Sequence, residues 1–122
     1  MKYEYSYLAS PYSHADLAIM DERHDAAMCC VHWHLKNHIW VYSPIVHCHE
    51  LARRYYLPRD YDFWETYNKV MLFNSNRLII LTLPGWDDSK GVKGEVDFAN
   101  KIGRPITFIH PEVMEDQYER RS

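Results

Sequence analysis

Apolar residues along this chain fall in short blocks, and their spacing alternates between strand-like and helix-like. Residues 3–9 form a β-rich run that ends at Ser10-Pro11-Tyr12-Ser13, which predicts a strand followed by a loop. Ser13-x-x-Asp16 reads as a capping-box variant opening a helix. Leu17, Met20, Ala27, Met28, Val31 and Leu35 continue it at three- and four-residue steps, and Asn37-His38 closes it. Residues 39–42 predict a second strand, stopped by Ser43-Pro44. A short helix over 47–55 and a loop over 57–60 follow. Asp60 or Asp62 then caps a helix running to about Ser75, with Phe63, Tyr67, Val70 and Met71 as its apolar stripe.

Residues 78–83 are apolar at alternate and intervening positions alike, as expected of a central parallel strand. A further helix ends at Gly103, a natural C′ glycine, and residues 105–109 predict the last strand. The charged tail from Pro111 reads as a short helix that frays. Strands alternating with helices predict one α/β domain over residues 1–122. Its parallel sheet, of four to five strands, is covered on both faces in a three-layer sandwich. Ligands of such sheets bind beyond the C-terminal strand ends, where the polar loops 10–13 and 86–89 fall.

The helix after the central strand carries the most informative feature. On a wheel of ~3.6 residues per turn, Asp88, Glu95, Val96, Ala99 and Ile102 share one stripe around Val92. The stripe that should be buried therefore contains a carboxylate. Burial of an unpartnered carboxylate is costly and raises its pKa, so Glu95 is the first candidate for chemistry. The alternative is that Asp88 or Ser89 is only an N-cap and Glu95 pairs with a buried arginine. Ser89 and Gly91 stand where free N–H groups favour an anion, and Gly91 and Gly94 leave room for a close ligand. Ser10, Ser13 and the start of the first helix are candidates for holding a ribose or phosphate, with Tyr7 near the strand's exit. Serines before a helix are, however, commonly plain caps.

Composition narrows the classes. The 122 residues are 47% apolar and 15% aromatic, the profile of a globular chain. A net charge of −3 supplies no basic field for a nucleic-acid backbone. No apolar run approaches ~18 residues, so no membrane span is expected, and the first residues do not read as a signal peptide. Three cysteines, Cys29, Cys30 and Cys48, form no disulfide framework, which points to a reducing cytoplasm. His32 and His34 would face apart on a helix. His47 and His49, flanking Cys48, could chelate if extended, but the spacing is not that of a zinc site. His47 lies past the second strand's end and is a candidate pocket residue. Tyr55, Tyr56, Tyr61, Phe63, Trp64 and Tyr67 read as core and subunit interface, with one of them free to stack on a base.

The motifs resemble the nucleoside 2-deoxyribosyltransferase superfamily and its nucleotide N-glycoside hydrolase branch. Within it, the chain is most similar to a family of short bacterial and phage proteins of unassigned function. The residues that carry the resemblance are Tyr7-Leu8-Ala9-Ser10-Pro11-Tyr12-Ser13-His14, Ser43-Pro44, Phe63-Trp64, and Leu83-Pro84-Gly85-Trp86-x-x-Ser89-x-Gly91-x-x-x-Glu95. The resemblance implies a flavodoxin-like (Rossmann-like) fold and cleavage of the bond between C1′ and a nucleobase nitrogen. It implies Glu95 as nucleophile, Tyr7 as a wall of the ribose pocket, and Ser89 and Gly91 as the phosphate- or ribose-binding turn. Asp88 is the nearest equivalent of the aspartate that assists the leaving base. Pro11, Tyr12, Trp64, Asn68 and Trp86 belong to the same expected pocket. One position departs: a nucleoside-contacting aspartate of the superfamily aligns with about Asn68, for which Asp62 or Glu65 would have to substitute.

The expected substrate is a nucleoside or its 5′-monophosphate, cleaved or transferred without cofactor or metal, by a homodimer or larger assembly. A nucleotide-binding or sensing module without turnover is the second expectation. A metal-dependent hydrolase using His47, His49 and Asp62 is the third.

Overall fold

The computed structural model describes residues 3–115. Four parallel strands, β1 (Ser6–Ala9), β2 (Val41–Tyr42), β3 (Arg77–Leu81) and β4 (Ile106–Ile109), lie in the order β2-β1-β3-β4. The strand order and the covering helices are consistent with a flavodoxin-like three-layer fold. β1 and β3 are central and buried on both faces, so every residue of Ser6–Ala9 is buried. β4 is an edge strand and leaves Phe108 exposed.

The alternation of strand side chains sorts the core into two layers. Tyr7, Ala9, Leu78 and Ile80 pack against Leu72 of α3 (Tyr61–Phe73) and against Val92 and Ala99 of α4 (Lys90–Ile102). Leu8, Ile79 and Leu81 point the other way, toward Cys29 and Cys30 of α1 (Leu17–Lys36) and Met114. All three cysteines are buried, and none is in a disulfide. Among the described residues no helix is long and apolar enough to cross a membrane.

Several local expectations change. Asp16, not Ser13, is the α1 N-cap: its carboxylate accepts the Ala18 N–H at 2.9 Å. The Ser13 hydroxyl instead donates to the Arg59 carbonyl at 2.7 Å and ties two loops together. The buried line of α1 includes Met20, Ala27, Cys30 and His34, whereas Leu17, Met28 and Leu35 are exposed. A histidine on that line obscured its period, and the buried ring is satisfied by the Cys30 carbonyl at 2.7 Å from Nδ1. The Ser43-Pro44 pair does more than stop β2. Ser43 caps α2 (Pro44–Arg54) by accepting the Val46 N–H at 3.1 Å, and Pro44 occupies the first turn, where its missing N–H costs nothing. On α3 the buried residues are Asn68 and Leu72, while Phe63, Tyr67 and Val70 face solvent. The aromatic stretch is thus mostly surface, with Tyr56 93% and Tyr55 66% exposed. Pro111–Met114 form a 3₁₀ turn, and the rest of the expected tail helix, from residue 116, lies outside the described residues.

α4 is set by its ends. Ser89 caps it, accepting the Val92 N–H at 3.2 Å, and Gly103 closes it with φ 76°. Nothing crowds the position a Gly103 side chain would take, so a substitution there reports backbone strain alone. Gly103→Ala is expected to lower the urea-unfolding free energy by about 1 kcal/mol. Gly103→Asn should lose less, because asparagine tolerates the left-handed region.

Candidate functional site

A cleft of about 460 Å³ opens beside the C-terminal end of β1. The chain passes from β1 to β2 on one side and returns to β3 on the other, which makes this strand end the switch point where open α/β sheets bind ligands. Its walls come from the loop after β1, from α2 and α3, and from the turn that leads into α4.

Glu95 lines the cleft and is only 6% exposed. Burial lifts its carboxyl from the ordinary 4.5 to about 7, opposed by the hydrogen bond it accepts from Tyr7. Tyr7 is fully buried on β1, and its hydroxyl donates to Glu95 Oε2. Burial, and then the neighbouring carboxylate, hold that phenol well above its usual range, so it stays a donor. Among the described residues no arginine or lysine pairs with Glu95. The carboxylate therefore has one oxygen fixed by Tyr7 and no counter-charge.

Two further polar atoms are buried at this cleft without a partner, Ser10 Oγ and Asn68 Oδ1. Desolvated polar groups left unpaired cost about 1–3 kcal/mol each. Ser10 and Asn68 are thus the groups a ligand hydroxyl or amide would satisfy.

Most of the sequence-predicted positions converge here. Tyr12, Ser13, Asp62 and Trp64 line the cleft from the β1 loop and α3. Asp88, Ser89 and Gly91 line it from the α4 side. Asp88 is not on the α4 stripe, however. It sits exposed in the 3₁₀ turn Trp86–Asp88 that precedes the helix. The glycines serve a different purpose from the one expected. A side chain on Gly94 would come within 2.6 Å of the Tyr61 hydroxyl, and one on Gly91 within 3.3 Å of the same ring, so Tyr61 fills that space. Asp62 is engaged by Lys90 at 2.9 Å, an exposed pair of small worth.

Three predicted positions lie elsewhere. His47 is exposed on α2, its ring 5.8 Å from that of Tyr42, because residues 47–49 are helical and not extended. The histidine that reaches the cleft is His49. Trp86 packs on Phe108 at 5.5 Å and on the core layer, and Pro11 is buried without lining the cleft. Tyr7 acts through its bond to Glu95 without lining the cavity itself.

Sequence reasoning missed Arg23 and Arg59 and offered His49 only as a metal ligand; all three line the cleft. Arg23 was detectable only as a cation inside the α1 stripe. Its Nη1 donates to the Ser13 carbonyl at 3.0 Å, which anchors the β1 loop. His49 meets Tyr12 across 37 positions of sequence, a separation that no local pattern reports.

A family model described as Domain of unknown function (DUF1937) matches residues 4–111. The chain belongs to the DUF1937 family. The match includes Tyr7, Ser10, Asn68 and Glu95, so the buried polar groups of the cleft all fall within the DUF1937 domain. No curated protein matches the chain.

The Glu95 environment makes a stability prediction for this DUF1937 protein. Its folded pKa lies above the unfolded value, so the fold favours the protonated carboxyl. That contribution is complete below about pH 4.5 and is lost as pH rises through about 7. The shift corresponds to about 3 kcal/mol. Glu95→Gln keeps the shape without the charge. Urea titrations should therefore show the variant gaining on the wild type between pH 5 and pH 8, and parallel pH profiles would refute the burial effect.

Proposed function

We propose that this protein cleaves the N-glycosidic bond of a nucleoside or nucleoside 5′-monophosphate, with Glu95 as nucleophile. The observation that carries this reading is the buried, cation-free carboxylate of Glu95 in the cleft wall, with Oε2 held by the Tyr7 hydroxyl. A carboxylate kept dry beside a cavity stabilises a developing cation strongly, and the transition state of glycoside cleavage is oxocarbenium-like. Tyr7 fixes the direction of attack and leaves the other oxygen for C1′. The C1′–N bond breaks as the C1′–O bond to Glu95 forms. Asp88, exposed in the 3₁₀ turn that leads into α4 and lining the same cleft, gives a proton to the departing base. Water or a second base, giving its proton to Asp88, then displaces Glu95 and regenerates both carboxyl groups in their starting states.

Ser10 Oγ and Asn68 Oδ1 bind the sugar in this reading, because each lacks a partner that a hydroxyl supplies. The Ser89 hydroxyl, which already accepts from Val92, keeps its own proton for a phosphate oxygen. Neither a cofactor nor a metal takes part. The second reading, a nucleotide-binding module without turnover, rests on Asn68, an amide at the place where the resemblance leads to an acid.

Incubation with a panel of nucleosides and 5′-monophosphates, read by chromatography of the free base, tests the proposal. Wild-type protein should release base from at least one compound, and Glu95→Gln should release none while retaining its fold. Binding without release by the wild type would leave the second reading in place. Because the nucleophile must be ionised, kcat/KM should climb as pH rises through about 7. Tyr7→Phe removes a donor that favours the charged form, so its profile should move to higher pH. Asp88→Asn should slow release of unactivated bases by ~10²–10⁴-fold.

A further inference from the structure

A second group of titratable side chains stands at the cleft, away from Glu95. The Tyr12 hydroxyl lies 2.6 Å from His49 Nδ1, and Asp21 Oδ1 lies 3.3 Å from His49 Nε2. Arg53 Nη1 holds the same Asp21 oxygen at 2.7 Å, and the His24 ring stacks on His49 at 4.1 Å. His49 is buried and Tyr12 half-buried, and both line the cleft. The mechanism above uses none of these five residues.

The arrangement fixes where the protons are. A carboxylate facing Nε2 favours a proton on that nitrogen. Burial, then His24 and Arg53, hold His49 below its ordinary pKa, so the ring is neutral at pH 7 and carries one proton only. Nδ1 is then a bare acceptor, and Tyr12 must donate its hydroxyl proton to it. The phenol has no second proton. What Tyr12 offers the cleft is an oxygen lone pair.

The neighbours of Tyr12 indicate which part of a ligand meets that lone pair. The α2 wall consists of Pro44, Ile45, Cys48 and Ala52 beside His49 itself, whereas charged and polar side chains such as Arg23, Arg59, Asn68 and Glu95 come from other elements. An apolar wall with one acceptor suits a flat heterocycle that carries an N–H. We infer that Tyr12, oriented by the His49–Asp21 pair, is the base-recognition residue and selects nucleobases with an exocyclic amino group. His49 and Asp21 are positioning residues, acting through Tyr12. The inference rests on the ligand being a nucleoside or nucleotide, as proposed above.

Calorimetric titration of the Glu95→Gln protein, which does not consume its ligand, tests it. Two pairs of 5′-monophosphates differ by one amino group: those of adenosine and purine riboside, and those of cytidine and 2-pyrimidinone riboside. Loss of a ligand N–H from a site built to accept it is expected to weaken binding about tenfold or more. The amino member of at least one pair should bind tighter by that factor. Adding Tyr12→Phe should bring the ratio near one. Adding Asp21→Asn supplies a donor to Nε2, moves the ring proton to Nδ1 and turns the Tyr12 hydroxyl toward the cleft. The preference should then shift to the carbonyl-bearing inosine or uridine monophosphate, which a purely structural role for Asp21 would not produce. The ¹⁵N shifts of His49 should show Nδ1 unprotonated before that substitution and protonated after it.

Equal affinities within both pairs, a ratio that survives Tyr12→Phe, or a proton on Nδ1 of the parent protein would overturn the inference. Amino-group discrimination without base release by the wild type would overturn only the glycosidase reading. Failure of all four nucleotides to bind would overturn both.

Discussion

The structure turns on a carboxylate kept out of water and a phenol that reaches it. Glu95 lies on the buried face of α4 with Val92 and Ala99, where an apolar residue would ordinarily pack. Among the described residues no cation offsets its desolvation, and the hydrogen bond it receives comes from Tyr7, 88 positions earlier. That bond constrains the fold. Tyr7 pairs in register with Leu78 on the neighbouring central strand, and α4 follows that strand after residues 82–89, which include the 3₁₀ turn Trp86–Asp88. A shift of register between β1 and β3 would carry the hydroxyl away and leave the carboxylate unpartnered. The Ser89 cap and the left-handed turn at Gly103 fix where α4 begins and ends, and so the rotation that aims Glu95 inward.

The tyrosine is suited to its partner. A cation beside Glu95 would hold the carboxylate well below neutrality and occupy it by pairing with it. A phenol lowers the pKa modestly and leaves no net charge behind. The result, a carboxyl near pH 7, ionises within the ordinary working range while remaining poorly solvated. Tyr61 completes the enclosure. Its ring lies against Gly91 and Gly94 of α4, and burial together with Glu95 pushes its phenol up to about 12, so it too adds no charge.

How much of this could be read from the residues depended on the range of the signal. Glu95 was visible because one helical wheel contains the whole contradiction, a carboxylate inside an apolar stripe. The Ser43-Pro44 pair is visible as punctuation and does stop β2, but its second role, capping α2, has no separate signal. The α1 and α3 stripes were misread for one shared reason. Each buries polar residues, His34 on α1 and Asn68 on α3, and each leaves apolar ones such as Met28 and Val70 in solvent. Hydrophobic periodicity assumes that the buried face is apolar, and it fails where a helix carries polar groups inward. The Tyr12–His49 contact had no local signal at all. The glycines were misassigned because a small residue marks a close approach without naming what approaches, and here that is Tyr61.

The same failures of pattern bear on function. Ser10 Oγ and Asn68 Oδ1 are buried without partners, and Glu95 is buried without a counter-ion. Each lowers stability, and none is required by the packing around it. They come from three separate elements, the loop after β1, α3 and α4, yet all line one cleft. Arg77 Nε, the remaining unpartnered buried atom among the described residues, does not line it. Isolated imperfections of folding would be scattered over the molecule. Convergence of three costly groups at the switch point of a parallel sheet is what a binding site requires, because a ligand that pairs with all three returns the free energy that folding gave up.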